Sequence, residues 1–159
     1  MGINFYNYRR SKEENKKLIE KYPWLDPRRG ISDEDILNAF NDNYNYSYTI
    51  LDDMPNGWNY TFGEQMCEEI AQALKEDNIP LKDYRVLEVK EKYGTLHWYD
   101  FGGNSKIDKI IDKYENLSKT ICANCGLPSK YCSKGWILYL CENCFNESGG
   151  IGVPVEWNQ

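Results

Sequence analysis

Cys122-Ala123-Asn124-Cys125-Gly126-Leu127-Pro128, followed by Gly135-Trp136-Ile137-Leu138-Tyr139-Leu140-Cys141-Glu142-Asn143-Cys144, is the part of this 159-residue chain whose reading decides the fold. Two Cys-x-x-Cys pairs with fifteen residues between them have the spacing of a four-thiolate zinc site, each pair forming a tight knuckle and the intervening segment returning the chain. Gly126 lets backbone N–H groups turn back toward the sulfurs, and Pro128 stops the turn. The run Trp136 to Leu140 reads as a strand that delivers the second pair. Cys122, Cys125, Cys141 and Cys144 are thus the expected ligands of one structural zinc ion, against the alternative of a disulfide or free thiols.

Two cysteines remain. Cys67 lies among helical residues at a core position, where a thiol behaves as a small hydrophobe, and Cys132 lies between the pairs without a Cys-x-x-Cys partner of its own. The length suffices for a real core, so zinc is expected to staple a local module and not to supply the whole stability. The formal charge of −6 argues against a general phosphate-binding surface. The acidic excess belongs mainly to the middle, where residues 59–104 carry five basic and nine acidic side chains, whereas residues 105–159 carry six of each. With no signal-like apolar run and no membrane-length segment, the expectation is a chain soluble in the cytoplasm, where thiolates stay reduced.

The chain otherwise reads as α+β, with helices packed on a small antiparallel hairpin. Ser11 and Glu14 predict a capping box opening a helix to about Tyr22, which Pro23 ends, and Ser32 to Asp35 predicts an acidic start for a short helix to Phe40. Arg28-Arg29 reads as a solvated basic turn. Tyr44, Tyr46 and Tyr48 alternate with polar residues, as on one face of a strand; they either pack half-buried or form an exposed contact surface rimmed by Asp52 and Asp53. Trp58, Phe62, Met66, Ile70 and Leu74 mark the core face of a helix over about 56–77, with Glu64, Glu68 and Glu69 on its other faces. Residues 84–92 and 95–101 predict a hairpin joined around Tyr93-Gly94, with Leu87 and Val89 sharing one face of the first strand, Leu96 and Trp98 one face of the second, and both faces packed inward on the long helix. A second capping box at Ser105 predicts a helix to about 119 that runs straight into Cys122. The expected organisation is a body over 1–121, a zinc-ribbon-like module over 122–146 and a tail over 147–159.

Catalytic signals are few. Four thiolates leave no open metal position for water, and His97 is the only histidine. Glu88 and Lys90 form a Glu-x-Lys pattern of the kind found in divalent-metal nucleases, which Glu69 or Asp77 would have to complete.

The segments Phe62-Gly63-Glu64-Gln65-Met66-Cys67 and Glu91-Lys92-Tyr93-Gly94-Thr95-Leu96, with Trp98-Tyr99, Gly135-Trp136 and the two cysteine pairs, resemble a family of small proteins carried by bacteriophages, prophages and other mobile elements of Firmicutes. The resemblance covers about residues 44–146. In character the chain is similar to zinc-containing anti-CRISPR inhibitors, which implies a non-enzymatic protein that binds a host-defence protein, a type II CRISPR effector nuclease, and blocks loading of target DNA in the bacterial cytoplasm. Tyr44, Tyr46, Tyr48, Asp52, Asp53, Glu64, Glu68 and Glu69 are the expected contacts, since an acidic, Tyr-rich surface is steered to a basic channel. The second reading is a nucleic-acid-binding zinc-ribbon adaptor with a face built from Lys106, Lys109, Lys113, Lys119, Lys130 and Lys134; the third is the nuclease through Glu88 and Lys90.

Overall fold

A computed structural model describes residues 8–29 and 44–157. The first helix, α1 (Lys12–Lys21), opens as its sequence predicts: Ser11 Oγ accepts from the Glu14 N–H at 3.1 Å, and Glu14 Oε1 accepts in return from the Ser11 N–H at 3.1 Å. Leu18 and Ile19 are its buried face, and the 3₁₀ turn Pro23–Leu25 that follows buries Trp24 and Leu25. The predicted helix over 32–40 lies outside the described residues.

The central helix is continuous but not uniform. An opening turn Asn56–Trp58 passes through a π-helical turn Asn59–Gly63 into α2 (Glu64–Glu76). Trp58, Phe62, Met66, Cys67, Ile70 and Leu74 are all essentially inaccessible, so the predicted apolar stripe is the core and Cys67 is part of it. Such π turns recur where a helix is bent to serve a local need. Here Asn59 is turned inward, where its Oδ1 accepts from the buried Arg10 guanidinium at 2.8 Å.

The predicted hairpin is present as β1 (Arg85–Lys92) and β2 (Thr95–Phe101), an antiparallel pair. Leu87 is a correction. Register shifts between Val86 and Glu88, so one residue of β1 is extra and the alternation of faces breaks there. Val86 and Val89 are buried while Leu87 is 50 % exposed. Leu96 and Trp98 face inward as predicted, and the Trp98 Nε1–H donates to the buried Tyr84 hydroxyl at 3.0 Å.

The next helix, α3 (Ser105–Lys119), has the predicted length but a different cap. Asn104, not Ser105, is the capping residue: its Oδ1 accepts from the N–H groups of Lys106 (3.1 Å) and Ile107 (3.2 Å). Replacing Asn104 by alanine should cost ~1 kcal/mol in urea denaturation, whereas Ser105→Ala should change stability by less than ~0.5 kcal/mol. Ser118 fastens this helix to the hairpin, its hydroxyl accepting from the Leu96 N–H at 3.0 Å.

Past the first cysteine pair, β3 (Tyr131–Ser133) pairs with β4 (Tyr139–Leu140), and α4 (Glu142–Glu147) follows. The predicted strand from Trp136 is therefore shorter than expected, because residues 134–138 form the connecting loop with Trp136 75 % exposed. The tail returns to this sheet. Gly152–Pro154 is β5, antiparallel to β3 on the side away from β4. The architecture is thus α+β, with a two-stranded and a three-stranded antiparallel sheet. Among the described residues no helix is long and apolar enough to cross a membrane.

Candidate metal centre

Each cysteine is delivered by a different backbone device. Cys122 follows directly on α3 and Ile121, and the first knuckle closes when the Gly126 N–H donates to the Cys122 carbonyl at 3.0 Å and the Cys122 N–H to the Leu127 carbonyl at 2.7 Å. Gly126 sits at φ +83°, the left-handed conformation that favours glycine, as its place after the pair predicts. Cys141 is the N-cap of α4, and its sulfur accepts from the Cys144 N–H at 3.4 Å. The helix turn then presents Cys144 on the same side. The two knuckles are tied by Asn124, whose Nδ2 donates to Cys144 Sγ at 3.3 Å.

The four Sγ atoms lie within 4.8 Å of one another, and those of Cys125 and Cys141 are 3.6 Å apart. Tetrahedral coordination with metal–sulfur bonds of ~2.3 Å requires sulfurs about 3.8 Å apart, so four sulfurs placed this closely are within reach of one ion. Cys122, Cys141 and Cys144 are buried and Cys125 is exposed. Burial raises the Cys125 thiol to about 11 and also raises Cys144; in both, the neighbouring Cys122 adds to the rise. At Cys141 burial acts in the same direction, but hydrogen bonds from the Cys144 N–H and adjoining thiols outweigh it and lower the thiol. Four thiolates so close together need a cation to compensate them. Cys132 stays outside this group, donating to the Ser133 carbonyl at 3.6 Å.

The centre is joined rigidly to the body. The Gly57 N–H donates to the Ala123 carbonyl at 2.8 Å, the Trp58 indole N–H to the Ile121 carbonyl at 3.3 Å, and Asn56 Nδ2 to the Asn124 carbonyl at 3.4 Å. A β-carbon at Gly57 would lie 2.1 Å from the Cys122 carbonyl oxygen, so only glycine permits this approach. Sequence reading singled out neither Gly57 nor Asn124. The one available signal is that both pairs carry Asn before the second cysteine, and only Asn124 reaches a sulfur.

The residues expected to contact a partner are placed differently. Tyr44, Tyr46 and Tyr48 are not on a strand: residues 44–49 are irregular, and Tyr46 has φ +56°. All three are half-buried, and Tyr44 and Tyr46 pack against the core and clasp the Arg28 guanidinium, which lies 4.6 and 5.7 Å from their rings. Arg28 is accordingly not a solvated turn residue, since it also pairs with Asp26 at 2.8 Å. Asp52 is buried, accepting from the Thr49 N–H at 2.9 Å, and burial pushes the neighbouring Asp53 up to about 6. Neither forms an exposed acidic rim. Glu64 pairs with Arg10 at 3.3 Å, Glu68 with Lys21 at 3.4 Å and the Tyr22 hydroxyl, and Glu69 with Lys113 and the Tyr114 hydroxyl.

Two of the six lysines of the proposed basic face are ion-paired. Lys113 pairs with Glu69, and Lys106 pairs with Asp77 at 3.0 Å and Glu76 at 3.5 Å, so these lysines form an ion-pair seam between α2 and α3. Glu69 and Asp77 are thereby also engaged away from Glu88, which bonds Lys90 at 2.9 Å and faces His97 at 3.3 Å. Among the described residues, the four cysteines are the only group of three or more potential metal ligands. No family model, curated protein or solved structure matches the chain.

Proposed function

We propose that the chain is a zinc-stapled, non-enzymatic binding protein whose partner is another protein. Zinc is the ion that a closed set of four thiolates in tetrahedral reach suits best, and such a site leaves no position for catalytic water. The metal holds the C-terminal module on the end of α3, and the module in turn braces the hairpin. The observation that carries the binding role is the outward face of that hairpin. Its inner face, Val86, Val89, Leu96 and Trp98, is in the core, while Leu87, Tyr99 and Phe101 are 50, 57 and 66 % exposed on the other side. Large apolar side chains gathered on one uncovered sheet face are the usual anchors of a protein interface.

The partner we propose, on the mobile-element resemblance, is a host-defence protein of the type II CRISPR effector nuclease class, met in the bacterial cytoplasm. The contact surface moves from the paired acids of α2 to the hairpin. Immobilised protein should capture the nuclease of a natural host and slow target cleavage, and Phe101→Asp should abolish both while leaving the thermal midpoint unchanged. Failure to bind or inhibit any such nuclease sinks the partner assignment; full binding by both Phe101→Asp and Tyr99→Asp sinks the surface.

A further inference from the structure

The tip of the hairpin carries the exposed Tyr93, and the exposed Trp136, from a distant part of the sequence, is bonded to Glu91 two residues before Tyr93. Tyr93 is 77 % exposed and adopts φ +52°, a left-handed conformation uncommon for a bulky residue. The adjoining Gly94 lies flush on the zinc module, where a β-carbon would come within 3.0 Å of both Ile137 and Tyr139. Trp136 is 75 % exposed, and its indole N–H donates to Glu91 Oε1 at 2.7 Å. That bond holds the ring by its edge and leaves its faces open. The loop beneath is closed by Ser133, whose hydroxyl accepts from the Leu138 N–H at 2.9 Å and donates to the Trp136 carbonyl at 2.5 Å.

Charge at this end differs from that of the whole. Residues 88–95 and 130–140 carry Lys90, Lys92, Lys130 and Lys134 against only Glu88 and Glu91. Glu91 is bonded to Trp136, and Glu88 to Lys90. Lys92 and Lys134, both exposed, flank the two rings in sequence.

We propose that Tyr93 and Trp136 are a stacking platform for single-stranded nucleic acid, with Lys92 and Lys134 meeting its phosphates. Unpaired bases supply flat faces for the rings and the backbone supplies the negative charge, so one ligand answers both features. An acidic peptide would also answer the lysines, but peptides anchor in grooves. Three grooves among the described residues, 370 to 820 Å³ in volume, are lined by other residues. The platform lies at the turn of the hairpin, whereas Tyr99 and Phe101 lie toward its open end opposite Glu88 and Arg85, and it does not rest on the partner proposed above. It shares only Lys134 with the basic face read from the sequence, of which Lys106 and Lys113 are ion-paired.

The test is fluorescence anisotropy of a fluorescein-labelled oligothymidylate with the zinc-loaded full chain at low salt. Saturable binding is expected, with a slope of log affinity on log salt of about −1.4 for two phosphates neutralised on a single strand. Trp136→Ala and Tyr93→Asn should each weaken binding roughly tenfold or more, with zinc content and thermal midpoint retained as evidence of intact folding. Lys92→Ala should reduce the slope by about 0.7. A duplex competitor should displace the probe poorly. Absence of binding, unchanged affinity in folded Trp136→Ala, equal competition by duplex, or capture of labelled polyglutamate in place of the oligonucleotide would overturn the proposal.

Discussion

Serine at Cys122 or Cys141 is expected to remove the metal and unfold the C-terminal module. Elemental analysis of the parent chain should find about one zinc per molecule, the number a single closed four-thiolate site holds, and either variant should fall close to zero. The expected loss of stability is on the order of 5 kcal/mol, below the ~10–16 kcal/mol that metal contributes to free-standing zinc peptides, because the body retains its own core. Leu18, Trp24, Leu25, Met66, Ile70 and Leu74, all on elements outside the module, are buried. For a chain of this size that loss lowers the thermal midpoint by roughly 10–20 °C. Cys132→Ser is the control and should keep both metal and midpoint, since that thiol is outside the cluster. Metal retained in both ligand variants would contradict the assignment.

Gly57→Ala is expected to push the first knuckle off the helix that supports it. Elsewhere in a helix this change is favourable by up to ~1 kcal/mol, because glycine is a poor helix former. At Gly57 the new carbon would meet the Cys122 carbonyl oxygen at 2.1 Å and the Gly126 nitrogen at 2.6 Å. Both obstacles are backbone of the first knuckle and cannot rotate aside. The knuckle must move off the helix, breaking the bond from Gly57 N–H to the Ala123 carbonyl and exposing part of Trp58. A net loss of ~3 kcal/mol or more in urea denaturation follows from overpacking against rigid backbone. Gly63→Ala, whose nearest obstacle is the Asn59 side chain at 3.0 Å, should cost much less. Equal stability of Gly57→Ala and the parent would mean that body and module are not docked as described.

The parts of the fold legible in the sequence are those set by local chemistry. The Ser11 capping box, the apolar stripe from Trp58 to Leu74, the hairpin around Tyr93-Gly94 and the cysteine spacing each signal within a few residues, and each is present. What escaped depends on contacts remote in sequence. Leu87 faces out because one extra residue sits in β1, which the regular alternation of β propensities does not reveal. β5 lacks a periodic signal of its own and forms because the edge of β3 offers backbone partners. The acids of α2 carry no sign in the sequence of their cations: Glu69 and Glu76 meet lysines of α3 thirty to forty-four residues away, and Glu64 and Glu68 meet Arg10 and Lys21. Asn104 and Ser105 are both good caps, and only the fold decides between neighbours.

The same division explains the candidate site. Ligand identity is written in the two pairs, whereas the support of those ligands is not: Asn124 reaches across to the other knuckle, and Gly57 makes room for the first one from the middle of the chain. Support of this kind fixes the orientation of metal ligands and is spread over the fold.

Four cysteine sulfurs and no other atoms are expected to hold one zinc ion. X-ray absorption at the zinc edge of the purified chain tests it directly. The expected result is a single shell of four sulfurs at ~2.3 Å. A shell containing nitrogen or oxygen at ~2.0–2.1 Å, or a chain purified without zinc and unable to take it up, would contradict it.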